Sequence, residues 1–174
     1  MRKIIVIMLV AAIAACTTID CPVQNMVYTV YNVMNADGTA GALDTDTLWV
    51  WSQRADGTDT VISTHTEDDL ELNCYFGPSA SSFQLPISYT QPEDELYMLV
   101  GDTAGTRYLD TVRIKKEDLP HFESVDCQAS YFHKITAVAT THNIIDSIVI
   151  NNPNVTYDAT NAHFNIYFKA ATER

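Results

Sequence analysis

Among the 174 residues, the groups able to do chemistry are four cysteines, five histidines and 22 acidic side chains. Their spacing narrows what that chemistry is. A structural zinc site wants ligands paired a few residues apart, and no C-x-x-C or H-x-x-x-H occurs, so no metal site is expected. There is no G-x-S-x-G elbow to expose a nucleophilic serine; Ser79, Ser81 and Ser82 read as an ordinary loop. P-loop and dinucleotide-binding glycine patterns are missing too, and no cofactor is expected. A catalytic cysteine needs a base beside it. His133 follows Cys127 by six residues, which is proximity in sequence without geometry. The remaining histidines, His65, His121, His142 and His163, fall near strand ends or in loops. The runs Glu67-Asp68-Asp69 with Glu71, and Glu93-Asp94-Glu95, read as solvated loops in preference to a cation site. No catalytic residue is therefore expected. The aromatics hold the best sign of binding. Trp49 and Trp51 share one strand face, where exposed rings would form a platform for a sugar or a protein. Packing between sheets is the competing reading, and the preferred one.

The clearest motif is N-terminal. Arg2 and Lys3 precede twelve apolar or small residues, 4–15, a length that suits a secretory leader and is too short for a membrane-spanning helix. The run closes on Ile13-Ala14-Ala15-Cys16, which resembles a bacterial lipobox: an aliphatic residue, two small residues and a cysteine. That resemblance implies cleavage before Cys16 and acylation of its thiol and new amino group. Several acyl chains anchor a protein stably where one does not. The expected organisation is a lipoprotein signal peptide at 1–15, a lipid anchor and tether at 16–24, and one folded domain at 25–174. Losing Arg2 and Lys3 leaves 8 basic against 22 acidic residues, a net charge of −14. Anionic headgroups do not attract such a domain, so the lipid must hold it.

Three thiols follow the anchor: Cys21, Cys74 and Cys127. Export would place them in an oxidising compartment, and three cysteines allow three single bridges. Cys21–Cys127 is the favoured pair, because it would pin the start of the domain to its body. The loop closed is roughly 106 residues, worth up to about 4–5 kcal/mol in the chain-entropy model. Cys74 reads as a small buried hydrophobe.

The elements that must position these groups are strands. Twenty threonines and nine tyrosines against five lysines favour β structure. Apolar alternation marks strands over residues 26–34, 47–53, 60–64, 83–89, 96–100, 107–115, 131–140, 144–150 and 162–169. The first is apolar on both faces, as a covered central strand is. Pro86 marks an edge strand. Residues 101–106 read as a hairpin connection. With no helical periodicity for crossovers, antiparallel pairing follows, and an Ig-like two-sheet sandwich of about nine strands is the expected fold. A β-barrel is the alternative.

Two short repeats fit this reading. Ala-Asp-Gly-Thr at residues 36–39 and 55–58 supplies tight-turn chemistry and lacks the ligand pattern of a calcium loop. Asp followed by Thr or Ser and an aliphatic residue recurs at residues 46–48, 59–61, 110–112 and 146–148. It marks turn-to-strand transitions. It also resembles the O-glycosylation acceptor of exported proteins in some gut-type Gram-negative bacteria, with Thr47, Thr60, Thr111 and Ser147 as the acceptors.

Longer segments carry a family resemblance: Ser82-Phe83-Gln84-Leu85-Pro86-Ile87-Ser88-Tyr89-Thr90, Pro120-His121-Phe122-Glu123-Ser124-Val125-Asp126-Cys127, and Ile144-Ile145-Asp146-Ser147-Ile148-Val149-Ile150-Asn151-Asn152-Pro153-Asn154-Val155. With Asp20-Cys21-Pro22, they resemble a family of small lipoproteins from gut-type Gram-negative bacteria, grouped under a domain of unknown function. The resemblance implies an exported, lipid-anchored, all-β protein with Cys21 and Cys127 in family motifs. One domain, an acidic balance and no basic stripe exclude nucleic-acid binding. The expectation is a non-enzymatic structural or interaction module on the outer membrane, bound through Cys16, with an outer-membrane protein as its candidate partner. A glycan- or host-ligand-binding module on Trp49 and Trp51 is the alternative. One acid alone among residues 17–20 favours the periplasmic face over the cell surface.

Overall fold

The computed structural model describes residues 27–43, 46–53, 59–61, 74–77, 79–122, 124, 127 and 129–170. The chain is all-β, and the described residues form eleven strands: β1 (Tyr28–Met34), β2 (Thr47–Gln53), β3 (Asp59–Val61), β4 (Cys74–Phe76), β5 (Ser82–Pro86), β6 (Glu93–Gly101), β7 (Arg107–His121), β8 (Ser130–Thr140), β9 (Ile145–Ile150), β10 (Asn154–Val155) and β11 (Phe164–Phe168). They make two sheets packed as a sandwich. One is four-stranded in the order β5-β1-β11-β9; the other runs β10-β8-β7-β6-β2-β3, with β4 also on β2. The expected nine strands are present, and β4 and β10 are additions of three and two residues.

β1 is central, as its two apolar faces require. Its antiparallel neighbour β5 is the edge strand that carries Pro86, whose missing N–H costs no ladder bond there. The other neighbour departs from expectation: β1 and β11 run parallel, with Tyr31 opposite Phe164. Hairpin-length gaps give antiparallel pairs, but these are the first and last of the described strands and no hairpin joins them. Tyr31 lies between Phe83 and Phe164, with both ring centroids at 4.9 Å. Such stacked pairs add about 0.5–1.5 kcal/mol each beyond burial. Val27, Val33, Leu48, Val50, Leu85, Met98, Val100, Ile114, Ile144 and Ile166 complete the buried centre.

β7 runs 15 residues, well past the expected end at residue 115, and pairs with β8 along its length. Thr136 is skipped in that ladder as a bulge, which shifts the alternation of β8 so that Ile135 and Val138, three residues apart, both face the core. The turns obey local chemistry. Gly38 takes φ 81° after Asp37, whose carboxylate accepts from the Thr39 N–H at 2.9 Å and from its hydroxyl at 2.6 Å.

Asp110 staples the two sheets together. Its fully buried carboxylate accepts from Thr141 Oγ1 (2.5 Å), Asn143 N (2.8 Å), Ile144 N (2.7 Å) and Ile145 N (2.7 Å). These four donors line the β8–β9 connection, where the chain leaves one sheet for the other. Burial pushes the Asp110 pKa up, but the four donors outweigh it and hold it below the usual carboxylate range.

Candidate functional site

Two groups of side chains stand apart from the apolar core: an aromatic row on the outside of the seven-stranded sheet, and a charge network inside its far end.

Strand parity puts Leu48 and Val50 inside, both buried, so Trp49 and Trp51 project outward and are half-buried. The preferred reading, tryptophans packed between sheets, is thereby corrected; the smaller aliphatics take the core. Trp51 pairs with Tyr97, and Tyr97 with Thr111, in one row across β2, β6 and β7. The Trp51 and Tyr97 rings stack at 5.6 Å and 21°. Trp49 lies over Gly101, where an added Cβ would meet its ring at 2.8 Å, and Arg107 sits 6.0 Å above the indole. Tyr97 donates its hydroxyl to Glu95 Oε1 (2.5 Å), and Glu95 Oε2 pairs with Arg113 Nε at 2.6 Å. The Tyr97 and Arg113 bonds hold the Glu95 carboxyl below its ordinary range. The result is a fixed aromatic surface bordered by Arg107, Arg113 and Glu95.

Glu93, Asp94 and Glu95 are not a solvated loop. They open β6, where Glu93 faces Lys115 (3.6 Å) and Asp94 approaches Lys116 (3.8 Å). The inward stripe of β7 reads Asp110, Val112, Ile114, Lys116, Asp118, so charge enters the interior at its end. The Lys116 side chain is completely buried. Its Nζ donates to the Gln91 carbonyl and lies 3.5 Å from Asp118 Oδ1, which in turn holds His133 Nδ1 at 2.7 Å. Burial pushes Asp94 up, against the pull of the Ser88 N–H and Lys116. Burial likewise pushes His133 down, against Asp118. Every member is held by another, which makes this end of the sheet rigid. Among the described residues, no three His, Cys, Asp or Glu side chains converge as a metal site.

A second buried histidine, His163, accepts the Val30 N–H on Nδ1 at 2.9 Å. Among the described residues its Nε2 has no hydrogen-bond partner. Burial holds its pKa below the ordinary value, against a pull from the Asn154 backbone and Asp158. The unfolded chain takes up protons at these two positions below about pH 6.5, and the folded chain resists them, so stability must fall as pH drops through that range. We expect the thermal midpoint to decrease between pH 7.5 and 5.5. A flat midpoint over this window in calorimetry would contradict the assignment of both histidines as buried and neutral.

The other expected residues are scattered. Cys16, Cys21, His65 and the 67–71 acidic run lie outside the described residues. Cys127 is half-buried in the β7–β8 connection, its N–H on the Ser124 carbonyl at 3.2 Å. Thr47 opens β2, Thr60 stands opposite Ser52 in the β2–β3 pair, and Thr111 lies within β7 in the Trp51–Tyr97 row. Ser147 is in β9, half-buried beside Asp146, on a groove of about 940 Å³ that also includes Asp37, Asp46, Tyr167 and Lys169. The four acceptor candidates do not converge. Their acidic neighbours differ too: Asp110 is structural, whereas Asp146 is exposed.

Residues 47–168, from the first residue of β2 to the last of β11, match a family of unknown function, DUF6452. The chain belongs to the DUF6452 family. That span carries the whole seven-stranded sheet and both groups above, while β1 falls outside it. No curated protein and no solved structure matches the chain. The strand read from the sequence at 107–115 stops one residue before Lys116, so it leaves the buried network out. The alternation through Asp118 was the available signal.

Proposed function

We propose that this DUF6452 protein is a non-enzymatic interaction module of the bacterial cell envelope, anchored in the outer membrane by lipid on Cys16 and lying on its periplasmic side. The observation that carries the binding role is the outward row of Trp49, Trp51 and Tyr97. Large aromatic rings fixed on a solvent-facing sheet and bordered by charged side chains are the composition of interaction hot spots. The polar groups that could have served catalysis, Asp110, Lys116, Asp118 and His133, are instead bound to one another or to the backbone. An outer-membrane protein is the proposed partner, and nucleic acid is not.

The Cys21–Cys127 disulfide belongs to this reading. The bonded state of Cys127 supports it. A glycan-binding role is the second reading, favoured by the near-parallel Trp51 and Tyr97 rings, onto which a sugar face could extend. Thr47, Thr60, Thr111 and Ser147 remain the proposed O-glycan acceptors, to be checked by intact mass of the exported chain.

Crosslinking and pull-down from native membranes tests the module. The expected result is a specific envelope protein recovered with the parent chain and lost at least tenfold with Trp49→Ala plus Trp51→Ala. Undiminished recovery with that variant would sink the aromatic row as the contact surface. Recovery of envelope polysaccharide instead would select the second reading. Cys16→Ala should shift the chain out of lipid-modified, membrane-bound form in metabolic labelling.

A further inference from the structure

We propose that the end of the sandwich where the chain enters is a second membrane contact, with Tyr89, Leu119, Phe122 and Tyr157 seated in the interface of a zwitterionic bilayer. This rests on the Cys16 anchor proposed above. The entry point is fixed by β1: the Val27 carbonyl accepts the Ile87 N–H at 3.4 Å, and Tyr28 stands opposite Pro86. Two residues beyond Ile87, the Tyr89 ring stacks on Tyr131 at 5.3 Å and 4°. Tyr131 is opposite Pro120, and Phe122 follows at the tip of the β7–β8 hairpin. On the other face of that hairpin Leu119 is paired with Phe132, and Tyr157 meets the Phe132 ring edge-on at 5.0 Å. Chain entry and hairpin tip therefore share one end.

The tether is short for that arrangement. Cys16 is eleven residues before Val27, a reach of at most about 36–40 Å at full extension. With Cys21 held to Cys127, the five steps from Cys16 to Cys21 allow only about 17–18 Å. The exposed large apolar side chains are concentrated here. Tyr89 (53 % exposed), Leu119 (45 %), Phe122 (66 %) and Tyr157 (40 %) are four of the six such residues described, the others being Leu109 and Val149. Tyrosine suits an interface because its ring is apolar and its hydroxyl stays wet. Charge selects the lipid: Glu123 and Asp126 follow Phe122 in an already acidic chain, so anionic headgroups are disfavoured.

The test uses the full acylated chain on phosphatidylcholine vesicles whose acyl chains carry bromine as a quencher. Trp49 and Trp51 report the baseline. Their sheet row meets β7 at Thr111, roughly 26 Å along the strand from Leu119, so their emission should be unchanged. Phe122→Trp should add emission that brominated lipid removes almost entirely, and Tyr89→Trp is an independent reporter on the loop beside it. If the chain floats with the vesicles but neither added indole is quenched, the end is not in the interface and the anchor reading survives. If the chain does not float, the anchor fails and this contact fails with it.

Discussion

Replacing Asp110 with alanine should lower stability by about 3–5 kcal/mol, because it strands one hydroxyl and three backbone N–H groups, those of Ile144 and Ile145 fully buried. For a domain of this size that corresponds to a fall in the thermal midpoint of roughly 10 °C or more. The geometry makes the cost specific. Both carboxylate oxygens are used, Oδ1 by Thr141 and Asn143 and Oδ2 by Ile144 and Ile145, so no single-oxygen side chain reproduces the set. Asparagine should recover part of the loss, since its carbonyl oxygen can still accept while its amide faces a donor. The folded Asp110 pKa is depressed, so its contribution is present above the unfolded value near 3.9 and is lost as pH falls through the folded one. Thermal unfolding followed by circular dichroism at neutral pH decides the matter. A loss under 1 kcal/mol for the alanine variant would remove Asp110 from the role of staple.

Lys116→Ala should be about as damaging, near 3–5 kcal/mol, for a different reason. Asp94 and Asp118 face the same Nζ from two strands. Without it, two inward carboxylates confront each other with the Gln91 carbonyl left unpaired. Lys116→Met restores the volume without the charge and should stay clearly destabilised. Combining Lys116→Met with Asp94→Leu should cost less than the sum of the two changes, because the buried charges are removed together. Additive losses in chemical denaturation would mean that Lys116 acts through packing of its stem alone.

The fold was legible in the sequence where alternation and turn residues agree. Gly101 and Gly105 bracket a real hairpin, Pro86 does sit on an edge, and β1 is covered on both faces. What alternation could not supply is which face of a two-faced apolar strand turns inward. Residues 48–51 alternate aliphatic with indole, and either set could fill a core; only the sheet opposite decides for Leu48 and Val50. Register was equally invisible. Glu93, Asp94 and Glu95 resemble a solvated run until β7 brings Lys115, Lys116 and Arg113 across from them. Residues 116–121 contain Lys, Glu, Asp and Pro, poor strand formers that β8 nonetheless pairs throughout.

The parallel union of β1 and β11 has a temporal meaning. Val30 and His163 meet across 133 positions, so the four-stranded sheet cannot close until almost the whole chain has been delivered. During N-to-C emergence, β1 can pair with β5 and then offers a bare, apolar edge with nothing to fill it. That interval is when the polypeptide is most prone to join another copy of itself. A chain truncated after β10 should remain in that sticky, half-assembled form, whatever its other strands achieve.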